Sequence, residues 1–304
     1  MPLPPDFHEL ARKVNNWGRW GDADQRGTLN FITDDVVRRA AATVRHGKRF
    51  ALGLPLDNNG PQLGAIPGRV NPLRTMVALK TAFTGDPSEV CFSDDVVVMG
   101  LQAATHWDAL AHVTYDGRLW NGFPLDSIDE GGAHRCGIDN VDTLVSRGVL
   151  LDVAAARGVE RLEPGYQVTP ADLDACGVAV ESGDVVLVRT GHMTLLKAGD
   201  KRGYGGASPG LTMATSQWFY EHEVAAAATD TMPFEVFPCE RDDCLLPVHM
   251  LNLVEMGLTQ GQNFDLEALA ADCAADGVYE FLLDASPLPF TNGLGAPVQP
   301  VAVK

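Results

Sequence analysis

The chain is short of positive charge, of paired cysteines and of long apolar runs, and each shortage removes a class of function. Lysine and arginine number 23 against 40 aspartates and glutamates, for a net charge of −17. Such a surface repels nucleic-acid phosphates and anionic membranes. The one basic cluster, residues 37–49 (VRRAAATVRHGKR), reads as the solvated face of a helix. The six cysteines (Cys91, Cys136, Cys176, Cys239, Cys244, Cys273) include no CxxC pair. That excludes zinc-ribbon spacing and points to buried or half-buried thiols rather than a disulfide framework. No run of eighteen apolar residues exists, so no transmembrane helix is expected. The opening MPLPPDFHEL has neither the basic nor the apolar region of a secretory leader, and a cytoplasmic location is the expectation. Glycine is plentiful at 31 residues, yet no GxGxxG follows a strand and no P-loop is present. A nucleotide cofactor therefore has no support.

What is present is core-forming: 45% of the 304 residues are hydrophobic. Residues 33–50 predict a helix, with Thr33 as N-cap, Asp34 and Asp35 on the positive dipole end, and Gly47 closing it. Val36, Val37, Ala40, Ala41 and Val44 form its apolar stripe. Five short runs bounded by Gly, Pro or Asp predict strands: FALGLPL, TMVALKTAF, VVVMGLQ, GVLLDVA and GDVVLVRTG. TMATSQWFYEHEV predicts a helix followed by the small strand VAAAATD, and DLEALAADCAADG a second helix with Asp265 as N-cap and Gly277 beyond its end. YEFLLDA predicts a last strand, and the Pro/Gly-rich tail 287–304 is expected to lie extended over the surface. Strands outnumber helices without alternating with them, which favours a mixed α/β layer protein over a regular doubly wound sheet.

The chemistry concentrates in THWDALAH, residues 105–112. On a strand, His106 and Asp108 share a face, whereas on a helix they would point about 200° apart. From Asp108 onward the sequence suits a helical turn, where Asp108 and His112 at i, i+4 share a face. A strand-to-turn junction would bring all three together. Imidazole and carboxylate suit zinc or manganese, but the spacing alone equally allows an acid/base pair or two structural histidines.

THWDALAH resembles the signature H-x-G-T-H-x-D-x-P-x-H of the cyclase family, the hydrolases similar to kynurenine formamidase and isatin hydrolase. The resemblance extends through WGRWGDADQRGTLNFIT, DVVLVRTGH, ATDTMPFEVFP, LPVHMLNL and the C-terminal DGVYEFLLDASPLPFTNGLGAPVQP, the longer branch of the family. It implies a swivelling β/β/α fold, a homodimer or homotetramer, and a divalent ion held by His106, Asp108 and His249. It also implies a catalytic role for His112 in proton transfer. Residues 1–50 would form a helical extension or lid on a catalytic core of 51–304. Two expected ligand positions depart from the family: the first histidine is Gln102, and a later glutamate falls near Gln262. Neutral amides are weak ligands, so one zinc or manganese ion is expected rather than two.

The resulting expectation is a metal-dependent hydrolase of an amide, imide or lactone in a small carbonyl compound. The ion would polarise the carbonyl and acidify a water, while His112 moves the proton. Asp108 would also orient His112 or the water, and Glu235 would be a second acid/base. Trp17, Trp20, Phe31, Trp107 and Trp120 are candidates for an apolar substrate wall, and Arg189 for a substrate carboxylate or an acidic side chain. Ring closure, dehydration or isomerisation at the same site is the first rival. The second is a metal-free protein that only binds a small ligand.

Overall fold

The valine- and alanine-rich runs GVLLDVA, GDVVLVRTG and VAAAATD form the middle of the sheet, joined there by the polar run Thr259–Gln262 (TQGQ), which the sequence did not mark as a strand. The computed structural model describes residues 3–304. Val145–Asp152, Val185–Arg189, Ala226–Thr229 and Thr259–Gln262 lie side by side and parallel. Antiparallel strands extend this centre on both sides. Glu280–Asp284, Val301–Val303 and Arg49–Ala51 follow Val145–Asp152, while His106–Asp108 and Gly295–Pro297 follow Thr259–Gln262. The sheet thus has nine strands and mixed direction.

Both faces of the centre are covered, which is why its sequence does not alternate. Leu150, Val185, Leu187, Ala226 and Ala228 pack in one apolar cluster with Trp107, Phe264, Phe281 and Ala302. Their strand neighbours Val149, Leu151, Val186, Val188 and Ala227 pack in another with the helices Pro5–Val14 and Met213–Glu221.

The tail departs from expectation. Gly295–Pro297 and Val301–Val303 are strands of the main sheet, with Ala296 and Ala302 fully buried. These strands stand seven places apart in the sheet order, roughly 34 Å if it were flat. Yet the connection from Pro297 to Val301 reaches at most about 14 Å. The sheet must therefore curl until its ends nearly meet. The two end ladders run on into the link, Leu52 N donating to Pro300 O and Val298 N to Thr105 O at 2.9 and 3.1 Å, and Leu54 N crosses between them to Thr105 Oγ1 at 2.8 Å. That curl carries the strand His106–Asp108 into the middle of the molecule.

Smaller departures concern element ends. The helix Asp34–Ala42 has the Thr33 cap, its side chain accepting from Val36 N, but stops before Gly47. In Glu267–Asp276 the residue before the helix is Leu266, although Gly277 does end it with a left-handed backbone. FALGLPL contributes only Phe50 and Ala51 to a strand, and VVVMGLQ only Val96–Val98. Leu73–Ala82 and Cys91–Val98 pair as a separate hairpin, where Val77 and Leu79 are about two-thirds exposed. The N-terminal extension is no lid over the cavity described below: Phe7, Ala11 and Val14 are buried in the main core. No helix among the described residues is long and apolar enough to cross a membrane.

Candidate functional site

The strand His106–Asp108 is clamped on both edges, with His106 opposite Gln262 and Asp108 opposite Gly295. Alternation sends the middle residue to one face and its neighbours to the other. Trp107 enters the apolar core, its ring edge-on to Phe264 and its Nε1 donating to Ala285 O at 2.8 Å. The close fit requires glycine at 261, where a Cβ would stand 2.9 Å from the Trp107 ring. His106 and Asp108 face the other way. The chain then turns, with His112 N donating to Ala109 O at 2.9 Å, and the three side chains meet as the spacing anticipated.

They meet at one atom. His106 Nε2 lies 3.4 Å and His112 Nε2 3.6 Å from Asp108 Oδ1. Neither His106 Nε2 nor Asp108 Oδ1 has a hydrogen-bond partner, although both are buried. The tautomer follows from the far side of the ring: His106 Nδ1 is 2.7 Å from Ala104 O, and a carbonyl only accepts. Nδ1 therefore carries the proton, and Nε2 keeps its lone pair aimed at the cluster. Burial pushes the Asp108 carboxyl up, but His112, His106 and His249 more than offset this and hold it far below the usual carboxylate range. It is an anion with one oxygen unsatisfied.

Its other oxygen is held. Gln262 Nε2 donates to Asp108 Oδ2 at 2.6 Å, and Gln260 Nε2 reaches the same atom at 3.4 Å. Behind Gln260, Asn252 Nδ2 donates to its Oε1, and Ser216 Oγ donates to Asn252 Oδ1. Gln262, expected as a ligand, thus reaches the cluster as a donor that orients Asp108. Gln102 lies over Gly295, the strand partner of Asp108: a Cβ there would sit 2.7 Å from Gln102 Nε2.

His249 enters from the helical turn Pro247–His249, whose first position is the proline. Its Nδ1 is hydrogen-bonded to Glu235 Oε1, which also accepts from His249 N at 3.0 Å, while Glu235 Oε2 accepts from Val248 N. Burial works against charging this imidazole, but Glu235 and Asp108 outweigh it and its pKa rises. Glu235 is 1% exposed and committed to His249 through both ring and backbone. It is a positioning residue, not the open acid/base expected. For His112 the balance is reversed: burial, with help from His249, His106 and Arg69, overcomes Asp108 and depresses its pKa.

His112, His249 and Gln262 form the polar wall of a cavity of about 380 Å³. Its apolar walls include Leu63, Ile66, Val113, Met232, Phe237 and Leu245. Arg69 closes the polar side.

The expected aromatic wall is elsewhere. Trp107 is core. Trp17 lines a separate surface recess with Arg19 and Glu223, its Nε1 donating to Val254 O. Trp20 packs against Phe31 and Trp120. Arg189 is consumed by Asp152 at 3.0 Å and by a two-pronged contact with Glu267 at 2.8 and 2.9 Å. The true lining comes from loops 62–69 and 232–246. Only Ile66-Pro67-Gly68-Arg69 carried a signal, that of a Pro-Gly turn.

No three His, Cys, Asp or Glu side chains among the described residues form a ready-made metal-ligand set. Two donors do fit an ion. Ligand atoms about 2.0–2.1 Å from a tetrahedral zinc are about 3.3 Å from one another, close to the 3.4 Å between His106 Nε2 and Asp108 Oδ1. Both atoms are buried and unpartnered, as donors awaiting a cation would be.

The Cyclase family model, described as "Putative cyclase", matches residues 22–236. A crystal structure described as that of a novel cyclase is 37% identical with a TM-score of 0.87, covering 96% of this chain and 100% of that one. Isatin hydrolase A from Ralstonia solanacearum is 20% identical with a TM-score of 0.64, covering 90% and 99%. A structure described as a potential metal-dependent hydrolase with cyclase activity is 15% identical with a TM-score of 0.52, covering 84% and 98%. The last two likenesses are likenesses of fold. No curated protein matches the chain.

Proposed function

The chain belongs to the cyclase family, and from that premise we propose that it is a metal-dependent hydrolase opening an amide, imide or lactone of a small carbonyl compound. The observation that carries this reading is the unpartnered pair His106 Nε2 and Asp108 Oδ1, buried 3.4 Å apart behind the cavity wall. His106 and Asp108, with His249, would hold one divalent ion. When bound, such an ion supplies electrophilic polarisation of a carbonyl and acidifies water.

The chain's own groups do the rest. Gln262 fixes one oxygen of Asp108 so that the other faces the cluster. Ala104 O and Glu235 fix the tautomers of His106 and His249. His112 faces the cavity with a depressed pKa. It is neutral near pH 7, accepts the proton of the attacking water on Nε2 and returns it to the leaving nitrogen or oxygen. The apolar lining excludes bulk water and seats the substrate's ring.

Elemental analysis of protein purified without chelator or affinity metal tests this. About one equivalent of zinc or manganese per chain is expected, and none in His106→Ala. Turnover of a lactone or cyclic imide in ¹⁸O-water should place solvent oxygen in the product, which ring closure or isomerisation would not. Absence of metal even after incubation with zinc and manganese would sink the proposal.

A further inference from the structure

The cavity holds a cation that the proposed hydrolysis leaves without a role. Arg69 lines it beside His112, His249 and Gln262. No hydrogen bond or carboxylate partner engages its guanidinium among the described residues; Asp108 acts on it only at a distance. The two arginines that are buried outright, by contrast, are paired. Arg147 is forked onto Asp184 and reaches Glu280, and Arg189 is forked onto Glu267 and reaches Asp152. Arg69 is half-buried with no carboxylate paired to it among the described residues, and unlike the half-buried Arg26, whose Nε is also unpartnered, it faces the cavity.

Its placement is built. Ile66-Pro67-Gly68-Arg69 is a turn closed by Arg69 N donating to Ile66 O at 3.1 Å. Proline supplies the fixed φ of the second position, and Gly68 the left-handed φ of +78° at the third. Gly100 N donates to Val70 O at 3.3 Å, tying the backbone beside Arg69 to the segment before the site strand. Burial presses the guanidinium pKa down, yet an arginine stays charged at any working pH. Around it the walls are apolar, from Leu63, Ile66, Phe237 and Leu245. A planar, five-donor fork in such surroundings matches a carboxylate.

We infer that Arg69 is the anion-recognising residue of the cavity and that the substrate carries a carboxylate on a compact, largely apolar ring; calling that ligand the substrate rests on the hydrolase reading above. The carboxylate lies on Arg69, and the scissile carbonyl of the same ring faces His112.

Calorimetric titration of the full-length protein with 4-carboxyphthalimide and with its uncharged 4-carboxamide tests this. The acid is expected to bind at least about tenfold tighter, the scale of one charge-assisted contact. Arg69→Met should bring the two ligands within about twofold of each other, on the same scale. Arg69→Lys, which keeps the charge but loses the fork, should retain part of the preference. His106→Ala should retain all of it, showing that the anion sits on Arg69 and not on a bound ion. Equal binding of the two ligands by the wild type would overturn the inference, and so would an undiminished preference in a folded Arg69→Met protein. If Arg69→Met does not fold, an unweakened preference in Arg69→Lys has the same force. Binding is read without turnover, so failure of the hydrolase reading leaves this contrast measurable.

Discussion

Two histidine–carboxylate pairs stand on opposite sides of the cluster, and they are built for opposite ends. In His249–Glu235 the ring and the carboxylate are bonded to each other, and two backbone amides also donate to the carboxylate. In His106–Asp108 the facing atoms are 3.4 Å apart and bonded to nothing, while the far sides of both groups are tied to Ala104 O and Gln262. The first pair is satisfied and therefore orients. The second is oriented and left unsatisfied. A buried unpartnered carboxylate oxygen costs stability, and a protein bears that cost where a ligand will repay it.

The sharpest way to break the comparison is Asp108→Asn. It removes the anionic oxygen but keeps an acceptor for Gln262. Metal affinity should fall more than about a hundredfold, beyond the range for a supporting residue. Unchanged metal content by elemental analysis would mean that the open pair is not a ligand pair. Glu235→Gln should cost about 10–100-fold in metal affinity and turnover. His249 would remain in place without its anionic partner. A loss as large as that of Asp108→Asn would abolish the distinction between the pairs. The smallest effect belongs to Gln102→His, which restores an imidazole beside Gly295. It should tighten metal binding by no more than about tenfold, the lower end of that range, without a second equivalent, because Gln262 supplies an amide donor where a second ion would need an anion. Two equivalents per chain would show that the amide on Asp108 can turn away.

How much could be seen in advance follows from the range of each interaction. The meeting of His106, Asp108 and His112 needed only the period of a strand and one turn, so seven residues sufficed. Glu235 is fourteen residues from His249, and its commitment depends on the path of the loop between them. Trp107 was one of five aromatic candidates for a substrate wall, but alternation along its strand turns it to the core. Arg189 and Arg69 were indistinguishable as sequence. Arg189 ends a strand where Glu267 and Asp152 converge on it, whereas Arg69 sits on a turn where no carboxylate among the described residues pairs with it.

By itself the sequence determined the local matters: the strands within GVLLDVA, GDVVLVRTG and VAAAATD, the Thr33 cap, the end of a helix at Gly277, and an HxD-x3-H cluster on a strand-to-turn junction. These depend on period, cap chemistry and backbone freedom within a few residues. It also carried the family likeness that the matching family model supports. Only the tertiary structure decided that the Pro/Gly-rich tail closes the sheet, that Glu235 serves His249, that Gln262 serves Asp108, and that Arg69 is left free beside them. Those outcomes depend on contacts between segments separated along the chain, by 14 residues for Glu235 and His249 and by 154 for Gln262 and Asp108. The closing of the sheet, forced by the short link from Pro297 to Val301, is what brings the seam and the site strand together.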